Sequence, residues 1–178
     1  MATIKTPAIA CIGVIGRQNN PLHISIFSAE GDKEERSKLD FSFMLSTCLD
    51  IFDARLPEKN VGQDFGLLQA IDERLAMYGW LTNTGVKLVI IVDMEGRQSP
   101  ANDTRTPPVL GLKNSDLTPA FQALQKAYIN LLMNPFYNPE DHAPNGHQLS
   151  ASTQITSRNF INEVNRIGRL WAPAIATR

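Results

Sequence analysis

The hydrophobic positions along this chain follow strand and helix periods in a definite order. Residues 8–15 and 86–92 are apolar at nearly every position, which is typical of strands covered on both faces of a sheet. Residues 22–27 alternate between apolar and polar, and the turn-forming residues before them predict a hairpin with the first segment. Two more strands are predicted at 65–71 and 75–81, and a tight turn joins the latter to 86–92.

Three other segments have the period of amphipathic helices. The first begins at Leu39, and its apolar stripe contains Phe41, Met44, Leu45, Cys48, Leu49, Phe52 and Leu56. The second is predicted to begin after the N-cap residue Ser115, with Pro119 in its first turn, and the third spans residues 156–171. The predicted order is therefore two strands, a helix, three strands and two helices.

Two residues of the first helix do not belong to its apolar stripe. Phe43 and Asp50 are seven residues apart, which places them together on the opposite side of the helix. An aromatic side chain beside an acid on an outer helix face is typical of a binding hot spot. The alternatives are a lone exposed aromatic, or a helix that begins two residues away from the predicted start and turns Phe43 inward.

Length and composition indicate one globular domain. The chain has 178 residues, 43% of them hydrophobic and 20% charged, which is enough for one well-buried core. We interpret residues 1–178 as a single domain with two long irregular inserts, at about 95–114 and 140–153.

Charge and hydropathy exclude several classes of function. The formal net charge is −1 and the basic residues are scattered, so the sequence predicts no nucleic-acid partner and no polybasic membrane anchor. No segment approaches the roughly 20 apolar residues that a transmembrane helix needs. Cys11 and Cys48 lie in apolar runs, and we interpret them as buried, reduced thiols.

The residues that could carry proton transfer or bind a metal are few. His23 lies in a predicted strand, whereas His142 and His147 lie in the second insert, where Glu140 and Asp141 are the additional ligands at hand. We interpret this insert as a solvated polar loop.

Asp93 follows the central strand 86–92. Catalytic carboxylates at such positions belong to parallel sheets, so we interpret Asp93 as a strand terminator. No glycine-rich phosphate loop is present in the sequence. The sequence therefore predicts no catalytic residue, no cofactor and no metal, and a protein that is not an enzyme.

Four blocks of sequence resemble one known family. They are residues 10–16 with Asn20-Pro21-Leu22, residues 44–53 with Thr47-Cys48-Leu49-Asp50, residues 78–93, and Asn134-Pro135-Phe136-Tyr137-Asn138-Pro139. In this order they are similar to the first hairpin, the first helix, the fourth and fifth strands and the end of the second helix of the sedlin family. These proteins are subunits of TRAPP, a vesicle-tethering complex, and the resemblance is closest to the sedlin-like, subunit 2-like branch.

The pattern and the resemblance predict the same fold. It is an α/β (α+β) fold of the longin-like or profilin-like type, in which a five-stranded, mostly antiparallel sheet has one helix on one face and two on the other, in the order ββαβββαα. The first and fifth strands would be central neighbours, and the second and third would form the edges.

The resemblance also implies a function. It implies a non-enzymatic subunit that promotes assembly or stability of a TRAPP-like tethering and Rab guanine-nucleotide-exchange complex in ER–Golgi and Golgi transport. The partners would be other small TRAPP subunits and, through the complex, Rab GTPases. The protein would be cytoplasmic and peripherally associated with ER and Golgi membranes. The alternatives are a longin-type regulatory module of a membrane-fusion protein and a small enzyme that uses the His142 and His147 loop.

The resemblance singles out the outer face of the first helix as a protein interface. Asp50 occupies the family's Leu-Asp position on the helix that associates with neighbouring subunits, and Thr47 lies in the same motif. The candidate interface is therefore Phe43, Thr47 and Asp50. Other aromatics near the C-terminal half, Phe136, Tyr137 and Trp171, are expected to close the core.

Overall fold

A computed structural model of the chain describes residues 4–27, 37–56, 64–99, 112–139 and 154–173. Within them, the elements are β1 (Ile4–Ile15), β2 (Pro21–Ile26), α1 (Lys38–Arg55), β3 (Asp64–Ala70), β4 (Leu75–Leu81), β5 (Lys87–Ser99), α2 (Asn114–Leu132) and α3 (Arg158–Leu170). This is the order that the sequence predicts.

The five strands form one sheet in the order β2-β1-β5-β4-β3, and each neighbouring pair is antiparallel. The two strands with continuous apolar runs, β1 and β5, are central neighbours and pair from Ile15 opposite Lys87 to Ile4 opposite Ser99. The edge strands are β2 and β3, as predicted.

The sheet separates two hydrophobic clusters, because successive side chains of a strand point to opposite faces. In β5, Leu88, Ile90 and Val92 contribute to the cluster that contains the buried residues of α2 and α3. Val89 and Ile91 contribute to the cluster that contains the buried residues of α1. The resulting α+β arrangement is consistent with the predicted longin-like fold.

Strand β5 is longer than the sequence analysis predicts. Asp93 does not end it, because the pairing with β1 continues beyond a bulge that separates the Ala8–Asp93 and Thr6–Arg97 pairs. Residues 95–99 therefore belong to the sheet and not to the predicted insert 95–114. The Asp93 carboxylate accepts a hydrogen bond from the Arg74 guanidinium at 2.7 Å, an ion pair that fixes Asp93 as a structural residue.

The start of α2 also differs from the prediction. Lys113 is the N-cap residue, and the Asp116 carboxylate accepts a hydrogen bond from its backbone N–H at 3.0 Å. The helix thus begins before Ser115, which is not the cap, and Pro119 lies beyond the first turn. Most of the two predicted inserts, residues 100–111 and 140–153, falls outside the described residues.

Candidate protein interface

The first turn of α1 is fixed by a capping box. The Ser37 hydroxyl oxygen accepts a hydrogen bond from the Asp40 backbone N–H at 3.3 Å. In return, the Asp40 carboxylate accepts from the Ser37 backbone N–H at 2.9 Å. These reciprocal bonds satisfy backbone donors that the helix cannot pair itself, and they set where the helix begins. The start in turn decides which residues of α1 face the sheet.

The inner side of α1 is anchored by Phe41, Leu45, Cys48 and Phe52, all of them buried. Phe43 lies on the opposite side of the helix and is 71% exposed, so the inward-turned alternative is excluded. Thr47 and Asp50 are exposed on the same side, one and two turns further along. The structure thus brings the three predicted interface residues onto one helix face.

Leu39, which was not predicted as an interface residue, extends this face. It precedes Phe43 by four residues and is 77% exposed. Residues four apart are neighbours on a helix surface, so the two side chains form a continuous apolar pair at the start of α1. We refer to Leu39, Phe43, Thr47 and Asp50 as the α1 outer face.

The C-terminal half of the α1 outer face is acidic. Asp50 and Asp53 are both exposed there, three residues apart. The Thr47 hydroxyl donates its hydrogen bond to the Met44 carbonyl at 2.7 Å, so it does not need a partner outside the helix. This face can therefore offer an apolar anchor and, about 10 Å along the helix axis, a carboxylate.

The basic residue in the last turn of α1 is directed away from this face. The Arg55 guanidinium donates hydrogen bonds to the backbone carbonyls of Leu67, at 2.9 Å, and Leu68, at 3.3 Å. Both residues belong to the edge strand β3. Arg55 thus ties the end of α1 to the edge of the sheet.

The aromatics expected to close the core fall into two groups. Tyr137 packs against the cluster of α2 and α3, and Trp171 is buried with its indole Nε1 donating to the Asp116 carbonyl at 3.1 Å, as predicted. Phe136 is 95% exposed, so its predicted role in the core is wrong. Its backbone N–H donates to the Asn134 side-chain oxygen at 3.1 Å, and this Asx turn directs the side chain outward.

Two further apolar side chains, Ile129 and Met133, are exposed at the C-terminal end of α2, at 46% and 74%. Neither was predicted to be exposed, although their spacing of four residues, off the apolar stripe of α2, is the signal from which it could have been predicted.

The titratable group in β2, His23, is part of the packing. Its Nε2 lies 2.7 Å from the Ser25 hydroxyl oxygen, and its ring contacts Phe160 edge-on at 5.5 Å between centroids. Burial, and secondarily the positive charge of Lys38, lowers the pKa of His23. A neutral histidine that is satisfied in this way has a structural role.

Both cysteines are free and buried, as predicted. Burial raises the pKa of Cys11 to about 12, and burial likewise raises that of Cys48 to about 12 although Lys87 acts against it. Thiols with such pKa values remain protonated at neutral pH and are poor nucleophiles.

The predicted polar loop with His142, His147, Glu140 and Asp141 lies outside the described residues. Within the described ranges, no three side chains of the metal-binding types are grouped closely enough to hold an ion. None of the helices in that part of the chain combines the length and the hydropathy that a bilayer span requires.

Comparison with known proteins places this chain in a family. The family described as Sedlin matches residues 14–169. A Dictyostelium discoideum protein named "Trafficking protein particle complex subunit 2-like protein" is 31% identical over 162 residues, which are 89% of this chain and 95% of that protein. The protein of the same name from Mus musculus is 31% identical over 137 residues, which are 74% of this chain and 84% of that protein. The one from Taeniopygia guttata is 28% identical over 153 residues, which are 83% of this chain and 94% of that protein. The chain belongs to the sedlin family.

Proposed function

We propose that this protein is a subunit of a TRAPP-type vesicle-tethering complex and that the α1 outer face docks it onto a neighbouring subunit. The observation that carries the proposal is Phe43, a large aromatic side chain that is 71% exposed on a firmly anchored helix. Asp50 stands two turns away on the same face. The names of the related trafficking proteins support the choice of complex.

The side chains of the α1 outer face indicate what kind of surface a neighbouring subunit must present. Leu39 and Phe43 together require an apolar pocket, because exposed side chains of this size gain most when a partner removes them from water. Asp50 and Asp53 favour a basic group at the far end of that pocket. A complementary subunit therefore presents an apolar depression followed by lysine or arginine.

The cellular role follows from membership of the complex. We infer a scaffolding function without catalysis, in which this chain stabilises the assembly and guanine-nucleotide exchange on Rab GTPases belongs to the whole complex. The protein acts in ER–Golgi and Golgi transport from the cytoplasmic side, and the assembly brings it to the membrane.

The test uses Phe43→Ala and Asp50→Ala in the full chain, tagged and expressed in its own cells. Loss of a hot-spot aromatic costs about 2 kcal/mol or more of binding, which is roughly a 30-fold loss of affinity. We expect fewer co-purified tethering subunits with both variants, while thermal unfolding of the isolated protein changes little. Phe136→Ala is the matched control, because it removes an exposed aromatic outside the α1 outer face. Undiminished recovery of the complex with both α1 variants would show that this surface is not the interface.

A further inference from the structure

A cleft of about 150 Å³ opens beside the α1 outer face, between α1 and the β1–β2 hairpin. Its apolar lining includes Ile15 and Ile24 from the hairpin and Leu45 and Leu49 from the helix. The cleft is open to solvent, and the polar residues Asn19 and Gln154 also line it. Its volume is close to that of a cavity that accommodates benzene. The cleft thus fits the end of a single leucine, isoleucine or phenylalanine side chain.

Two serines keep the helix side of the cleft open. Ser42 and Ser46 both line it, one helical turn apart. Their hydroxyls donate to backbone carbonyls of α1, Ser42 to Lys38 at 2.8 Å and Ser46 to Ser42 at 2.9 Å. Their protons are therefore committed within the helix, and neither serine needs a polar partner in the cleft. Any larger side chain at either position would fill the space.

The rim of the cleft is cationic at the end where Lys38 lies. Among the described residues that line it, Lys38 carries the only formal charge. An occupant with a carboxylate next to its apolar side chain would be favoured there, whereas a basic occupant would be repelled.

The cleft is continuous with the α1 outer face. Ser46 lines the cleft and lies three residues after Phe43 and four before Asp50, so it is a surface neighbour of both. A subunit seated on Phe43 would have to pass over Ser46 and reach the opening.

We propose that the docking surface extends from Phe43 into this cleft and that a neighbouring subunit inserts one apolar side chain there, flanked in its own sequence by an aspartate or glutamate that meets Lys38. This inference rests on the proposed function, because it adds a second anchor point to the same interface. Two anchors on adjacent sides of one helix fix both the position and the rotation of the neighbour, which a single protruding aromatic cannot do.

The decisive experiment is site-specific photocross-linking in the assembled complex, with a diazirine analogue of leucine placed at Leu49, which lines the cleft, or, in a separate variant, at Leu39 on the α1 outer face. Both replacements keep the size of the native side chain. We expect Leu49 to cross-link to an apolar residue of a tethering subunit with an acidic residue within two positions of it in sequence. A cross-link to this chain's own residues, to lipid, or to a segment with only basic neighbours would overturn the inference. If Leu39 cross-links to a subunit and Leu49 does not, the cleft proposal fails and the proposed function stands; if neither does, both fail.

Two substitutions give an independent measurement. Ser46→Trp fills the cleft from its rim and should weaken association about tenfold or more, the equivalent of losing one buried apolar side chain. Gln122→Trp, at an exposed position of α2, is the control and should leave association unchanged. Equal recovery with the Ser46 and Gln122 variants would contradict the proposal.

Lys38→Glu separates docking from stability. An acidic residue in the first turn of a helix favours the helix dipole, so α1 itself should not be weakened. We expect association to fall several-fold while the unfolding temperature stays the same or rises. Association that is unchanged or improved would rule out an acidic occupant.

Discussion

Gly79 allows α1 to sit close to the sheet, and adding a single methyl group there should be costly. It lies in β4, and a Cβ atom at this position would approach Phe52 Cζ and Leu68 Cδ1 to 2.7 Å each. Carbon atoms in good contact are about 3.5–4.0 Å apart. Phe52 is 0% and Leu68 5% exposed, so neither can turn into solvent to make room.

We expect Gly79→Ala to destabilise the isolated protein by about 1–3 kcal/mol, which is the usual cost of overpacking a filled core. The sign of the change in stability is informative, because replacing a glycine in a strand interior by an alanine that fits normally stabilises a protein by roughly 0.5–1 kcal/mol. Urea unfolding followed by circular dichroism measures the change in the free energy of unfolding. A variant as stable as the parent would refute the reasoning.

A double-mutant cycle with Phe52→Leu tests the cause. Leucine lacks the ring carbon that meets the added methyl group, so the cost of Gly79→Ala should be smaller in the Phe52→Leu background, by about 1 kcal/mol. Purely additive effects would mean that the clash with Phe52 is not the source of the loss. The comparison uses differences between variants, and errors in extrapolation largely cancel.

Three further expectations follow from the described contacts. Ser37→Ala removes the α1 cap and should cost about 1 kcal/mol in urea unfolding; no loss would contradict the cap's role. Because burial lowers the pKa of His23 below 6.5, the unfolded chain binds its proton first, so stability should fall as pH drops below 6.5. His23→Gln should make the free energy of unfolding less dependent on pH in this range. An unchanged pH dependence would show that other groups cause it. Cys11 and Cys48, with pKa values of about 12, should react with a thiol reagent only after unfolding; rapid labelling of the native protein would contradict their burial.

The central pair of strands could be predicted because burial on both faces leaves a continuous apolar run, and both β1 and β5 have one. The extension of β5 beyond Asp93 could not be predicted in the same way. Its residues 93–99 are largely polar, and the strand conformation of 97–99 depends on pairing with Ile4–Thr6, more than ninety positions earlier in the chain. Pairing between segments so far apart produces no periodic pattern within either segment, so it cannot be predicted from the local sequence.

The candidate interface could be predicted in part, because a residue that departs from the apolar stripe of a helix is expected to be exposed. Phe43 and Asp50 depart from the apolar stripe, and the structure exposes both. Leu39 was missed because its orientation depends on where the helix begins, which the reciprocal Ser37–Asp40 bonds decide. The orientation of Phe136 depends on the turn made by Asn134, and a turn has no period from which to read it.

Exposure alone would select Phe136 as the docking anchor, since it is more exposed than Phe43. Binding favours anchors that are already held in place, because ordering a side chain and its segment at an interface costs about 0.5–1.5 kcal/mol for each group immobilised. Phe43 stands on a helix that is capped at Ser37, buried along its inner side and bonded to β3 through Arg55. Phe43 also has the acidic neighbour Asp50, whose charge favours one orientation of the partner. For these reasons we propose α1, and not the more exposed aromatic after α2, as the surface on which a second subunit gains most.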